Sequence, residues 1–130
     1  MSKLTFTVEG PPIGKPRMTR SDKWKKRDCV LRYWAWADAC RLAAKAAGSL
    51  PEAQLVTHMH VEARLAMPAS WAAKRRAAMA GQPHRQKPDA DNIGKSAMDS
   101  LWEEDSAIWS LSVRKLWDTG SGSVTVTVET

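Results

Sequence analysis

The stretch WSLSVRKLWDTGSGSVTVTVET, Trp109 to Thr130, reads as two strands around a turn. Trp109, Leu111 and Val113 alternate with polar residues, and Val124, Val126 and Val128 alternate with Thr125 and Thr127. A period of two buries one face of a sheet. Thr119-Gly120-Ser121-Gly122-Ser123 supplies turn chemistry between them, so the spacing predicts a C-terminal hairpin. Further back, Leu55, Met59, Val61 and Leu65 alternate with His58, His60, Glu62 and Arg64, and Leu4, Phe6 and Val8 make a first strand ending at Gly10-Pro11-Pro12. Three helical patterns separate these strands. Val30 to Ala47 is alanine-rich, with Leu31, Trp34, Ala35 and Leu42 spaced for one face and Gly48 as a stop. A short helix runs from Ser70 as N-cap to Gly81, and a third, capped by Asp91-Asn92, carries Ile93, Ala97, Met98 and Leu101 as its apolar stripe. Four strands and three helices in this order predict an α+β fold: one mixed or antiparallel sheet with helices packed on it, in a single domain over residues 1–130.

Composition agrees with one globular unit. A chain of 130 residues is long enough for a real core and too short for two. With 43% hydrophobic and 26% charged residues it lacks the signature of disorder. No apolar run approaches the roughly 18–20 residues needed to cross a bilayer. The opening MSKLTFTVEG has no signal-peptide core, so the cytoplasm is the expected compartment. Cys29 and Cys40 have no neighbouring histidines and read as free thiols, one in a loop and one on a helix face.

The net charge of +6 is concentrated. Residues 15–32 hold eight Lys/Arg and two Asp, whereas the other 112 residues hold twelve of each sign. Lys15, Arg17, Arg20, Lys23, Lys25, Lys26 and Arg27 lie in a basic loop or arm over residues 15–29, and a second, acid-free cluster follows at Lys74, Arg75, Arg76, His84, Arg85 and Lys87. Such clustering is the footprint of a phosphate-backbone binder, and the arm together with Arg85 and Lys87 forms the expected DNA-binding set. A solvated basic face has the same composition, so charge alone leaves both readings open. Of the seven tryptophans, Trp34, Trp109 and Trp117 sit in apolar patterns and are assigned to the core. Trp24, among lysines, is the one expected to stack on DNA. His58 and His60 share a strand face without further metal ligands and read as part of a polar sheet face.

Acid gathers suddenly in KPDADNIGKSAMDSLWEEDSAIWSL, Lys87 to Leu111. Asp89 and Asp91 stand two apart before a helix, whose N-terminus tolerates anions. Asp105 falls between that helix and the next strand, where a chain reversal could return it beside the pair. Carboxylates pushed together repel unless a cation neutralises them, and Mg²⁺ does so while leaving positions for water and phosphate. Lys95, one helical turn beyond Asp91, could then support the phosphate. Each residue also has a plainer reading: Asp91 as a helix cap, and Lys95 with Asp99 as an exposed i,i+4 pair.

The sequence Lys87-Pro88-Asp89-Ala90-Asp91-Asn92-Ile93-Gly94-Lys95, followed by Asp99-Ser100-Leu101 and Glu104-Asp105, resembles the signature of the RusA Holliday junction resolvases. The opening strand ending in Gly-Pro-Pro and the run Gly14 to Arg17 (GKPR) match the family's beginning, so the likeness covers nearly the whole chain in order. It implies a homodimeric α+β endonuclease of phage or prophage origin that makes paired nicks in four-way DNA junctions with Mg²⁺ or Mn²⁺. The essential aspartates would fall on Asp89, Asp91 and Asp105, the essential lysine on Lys95, and a structural or supporting role on Asp99. Only Trp102-Glu103 separates Leu101 from Glu104, shorter than the family pattern, which leaves Glu104 or Glu103 as alternatives to Asp105. A nuclease for flaps or forks would use the same parts, and a non-catalytic DNA-binding module could keep the fold. The intact acidic set favours an enzyme, because a pure binder gains nothing from carboxylates facing phosphate.

Overall fold

A computed structural model describes residues 2–16 and 27–130. Strand β1 (Lys3–Glu9) is followed by helix α1 (Asp28–Ala47), a 3-10 turn (Ala53–Leu55), β2 (His58–Ala66), α2 (Ala73–Met79), α3 (Ala90–Leu101), β3 (Leu111–Asp118) and β4 (Ser123–Glu129). The α+β class is as expected, with three helices and a mixed sheet of four strands among the described residues. Boundaries differ in places: β2 begins at His58, leaving Leu55 in the 3-10 turn, and α2 starts at Ala73 rather than just after Ser70.

The strand order is β1-β4-β2-β3. β4 runs antiparallel to both β1 and β2, while β2 and β3 are parallel. The predicted hairpin therefore does not form, because β2 lies between β3 and β4. Two strand spacings are roughly 10 Å, within reach of a four-residue connection at about 3.3 Å per residue. Residues 119–122 make that crossing over the end of β2. Gly122 has φ +97°, and a Cβ there would stand 2.7 Å from the Arg64 carbonyl oxygen, so the crossing presses backbone on backbone. β3 takes the edge, and residues 81–84 are fastened along its open side: Gly81 N–H donates to Trp117 O, Trp117 N–H to Gln82 O and His84 N–H to Lys115 O.

One sheet face is apolar. Phe6 and Val8, Met59, Val61, Ala63 and Leu65, and Val124, Val126 and Val128 turn inward onto Trp36, Cys40 and Ala44 of α1 and Ile93, Ala97 and Leu101 of α3. Each such valine or isoleucine contributes about 1.5–3 kcal/mol by leaving water. The other face is a ladder of polar pairs, among them Thr5 with Thr127, Thr7 with Thr125, His58 with Ser110 and His60 with Ser112. The reading of His58 and His60 as a polar face agrees with this.

Helix α1 buries a different stripe from the expected one. Val30, Tyr33, Trp36, Ala37, Cys40 and Ala44 face the core, whereas Leu31, Trp34 and Leu42 are 42%, 41% and 69% exposed. Both stripes have helical spacing on this alanine-rich segment, so periodicity could not choose between them. Trp34 is thus not a core residue, and neither is Trp109, which precedes β3 and is 76% exposed. Trp117 is buried, as expected. Both cysteines are free; Cys29 lies exposed on α1 rather than in a loop, and burial pushes the Cys40 thiol up to about 12. Among the described residues no helix is long and apolar enough to cross a membrane.

Candidate active site

Asp89 and Asp91 stand at the start of α3, where two separate loops converge. On one side, Lys115 of β3 donates from Nζ to the carbonyls of Gln86 (2.5 Å) and Pro88 (2.8 Å), pinning the approach to Asp89. Asp89 occupies the N-cap position, and its backbone carbonyl accepts from Ile93 N–H at 3.1 Å. The cap is therefore Asp89 rather than Asp91-Asn92, and its carboxylate makes no capping bond. Asp91 lies in the first turn, and both carboxylates are exposed.

On the other side, residues 13–15 are clipped to α3. Ser96 Oγ donates to Ile13 O at 2.6 Å, and Lys15 Nζ reaches Asp99 Oδ2 at 2.6 Å. Gly14 lies so close that a Cβ there would stand 2.5 Å from Asn92 Nδ2. The two loops and the helix start border an open cleft of about 490 Å³ lined by Gly14, Lys15, Pro16, Lys87, Pro88, Asp89 and Asn92.

Lys95 and Asp99 continue along α3 from Asp91. Lys95 Nζ lies 3.7 Å from Asp99 Oδ2, so Asp99 receives both Lys95 and Lys15. Asp105 stands against Asp99, and one of its oxygens, Oδ2, is buried with no hydrogen-bond partner. The two carboxyls are pushed in opposite directions. Burial alone would raise Asp99, but the Lys15 ammonium, a hydrogen bond from Asp105 and the charge of Lys95 together hold it below the usual carboxylate range. Asp105 is pushed up, first by its hydrogen bond to Asp99, then by burial and by the Asp99 charge. Glu104 turns elsewhere: its exposed carboxylate accepts the Ser106 N–H at 3.1 Å, which lowers its pKa.

Asp89 and Asp91 thus both lie at the start of α3, while Asp105 stands by Asp99, two turns and about 12 Å of helix rise further on. Among the described residues no group of three or more His, Cys, Asp or Glu is gathered to hold a metal ion. The donors nonetheless suit a hard cation in kind, being carboxylates with the Asp105 Oδ2 still lacking a partner. Of the expected DNA-binding set, Lys87 lines the cleft, Lys15 lines it while paired to Asp99, and Arg85 stands exposed on the adjoining loop. Arg27 sits at the start of α1. Arg17, Arg20, Lys23, Lys25 and Lys26, with Trp24, lie outside the described residues. Lys115 and Ser96 were absent from the sequence expectations, since their partners are backbone carbonyls far away in the chain.

A family model described as Endodeoxyribonuclease RusA matches residues 9–129, from the end of β1 to the end of β4, with both walls of the cleft inside the match. No curated protein shows a significant match to the chain. The family's enzymes are hydrolases that cut DNA internally. On a match that covers nearly the whole domain, the chain belongs to the RusA endodeoxyribonuclease family.

Proposed function

We propose that this enzyme resolves Holliday junctions by paired nicks in DNA recombination and repair, using Mg²⁺, with Mn²⁺ able to replace it. The observation that carries the reading is the cleft itself. Lys15 and Lys87, from two different loops, flank Asp89, so cations and carboxylate converge on one depression. Lys87 and Arg85 attract the phosphate backbone, as do the cations of residues 15–29. Asp89 and Asp91 would hold the ion, which when bound polarises the scissile phosphate and lowers the pKa of its water; Asp105, beside Asp99, would join them as third donor only by a shift of the segment after α3 toward Asp91. The unpartnered Oδ2 favours Asp105 as the third donor, and the engagement of Glu104 with Ser106 argues against its alternative. Lys95 stabilises charge developing on the phosphate. Asp99 is a positioning residue that orients Lys15 and Lys95 through its two ion pairs.

Two nicks on opposed strands of a roughly two-fold symmetric substrate require two sites, so the working unit is a symmetric homodimer. The outward apolar stripe of α1, with Leu31, Trp34 and Leu42, supports this, since monomers rarely leave such a surface uncovered. The enzyme works where the DNA is, in the cytoplasm of a bacterial or phage-infected cell.

A cleavage assay tests the reading. Synthetic four-way junction, flap, fork and linear duplex are each incubated with and without Mg²⁺; only the junction should be cut in paired fashion, and only with metal. Preferential cutting of flaps or forks would replace the substrate, and no cutting at all would leave a DNA-binding module. Asp91→Asn should cut slower by orders of magnitude while still binding the junction. Lys95→Ala should lower the single-turnover rate by roughly a hundredfold with a much smaller rise in Kd.

A further inference from the structure

From Ala66 to Pro88 the chain carries five Lys/Arg and no acid. Helix α2 lies within this stretch and buries none of its residues, so core formation does not explain it. What it does make is an aromatic corner. Trp71, just before α2, packs on Trp117 with ring centroids 4.8 Å apart, and Arg75 Cζ lies 3.9 Å from the Trp71 ring centroid. His84 also packs on Trp117, with ring centroids 4.3 Å apart. Between α2 and the loop along β3 opens a hollow of about 440 Å³, with Trp71, Met79, Pro83 and Trp117 as apolar wall and Arg75 and Arg85 as cationic lining.

We propose that this hollow receives one unstacked nucleobase of the DNA strand, held against the Trp71–Arg75 pair with its phosphate on Arg85. Trp rings and guanidinium groups are both stacking surfaces for bases, whatever the sequence. The volume falls within the roughly 300–1,000 Å³ range of small-ligand sites. The pocket is preformed, because three backbone hydrogen bonds fasten residues 81–84 to β3, so binding costs little ordering. It also leads to the acids. Gln86 and Trp117 line both this hollow and a second depression of about 300 Å³, and Lys87 lines both that depression and the acidic cleft. Three residues from Gln86 to Asp89 span at most about 10 Å, close to three steps of a stacked strand. A base leaving the stack near a branch point would lodge in the hollow while its strand lay across the acids. The substrate feature rests on the nuclease reading; the base pocket itself does not.

The test compares binding of fluorescent oligothymidylate of about eight nucleotides with an abasic strand of the same length and charge, in EDTA. Backbone contacts are common to both strands, so the ratio of their Kd values reports the base. Wild type should favour the base-bearing strand by about tenfold. Trp71→Leu, which fills the apolar volume without a π-face, should bring the ratio to about one, and Trp71→Phe should keep most of it. Equal binding of both strands by wild type, or a ratio that survives Trp71→Leu, would overturn the pocket. A protein that cuts no junction yet shows the Trp71-dependent ratio would keep the pocket and lose the nuclease reading. A protein that cuts junctions without the ratio would do the reverse.

Discussion

His84 shows how one buried side chain ties stability to pH. It lies under Trp117, and burial first, then the nearby Lys115 ammonium, lowers its pKa below the ordinary 6.5. The native state therefore resists the proton that the unfolded chain accepts. Stability from the neutral ring is complete above about pH 6.5 and is lost as pH falls through the depressed folded value. Thermal unfolding at about pH 7.5 and 5.5 should show a larger drop in Tm for wild type than for His84→Gln; equal drops would refute the assignment. At this scale the sequence was legible where chemistry is local. Asp89, Asp91 and Lys95 belong to one short motif, and the structure places them together at the start of α3. The Lys15–Asp99 pair joins residues 84 positions apart, and a lysine such as Lys115 on a strand reads as solvated until its carbonyl partners are seen.

Among the elements, the turn after β3 carries the clearest prediction. Gly122→Ala meets two costs at once: a positive φ that L-residues rarely adopt, and a carbonyl oxygen 2.7 Å from the new methyl. The loss should be about 2–4 kcal/mol, read as a lower denaturation midpoint with the m-value unchanged. A midpoint equal to wild type would mean that the turn does not cross β2 so closely. This same turn explains an expectation that failed. Two alternating strands with a Gly/Ser turn describe a hairpin locally, but only pairing decides whether a third strand slips between them. β2 does, because its core face is fully apolar from Met59 to Leu65 and suits the centre, whereas β3 carries Arg114 and Lys115 and suits an edge. The α3 stripe was legible, having one apolar face; the α1 stripe was not, having two.

For the whole molecule, charge and the proposed two-fold symmetry can each be tested. Replacing Lys23, Lys25 and Lys26 with glutamine should weaken binding to all DNA, and the log–log salt slope should become shallower by roughly 0.9 for every phosphate that is no longer neutralised. An unchanged slope would make those residues a solvated surface. Mixing wild-type chains with Asp91→Asn chains should give heterodimers that nick one strand of a junction and spare the other. Sedimentation as a monomer at concentrations that support full resolution would exclude the dimer.

The fastening of residues 81–84 along β3 has one more consequence. The sheet has two margins, and this segment occupies one of them, leaving β1 as the other. Among the described residues, runaway strand addition between copies then has a single margin on which to begin. Lys3 and Glu9 stand at the two ends of β1, where charge acts as a gatekeeper against edge-to-edge aggregation.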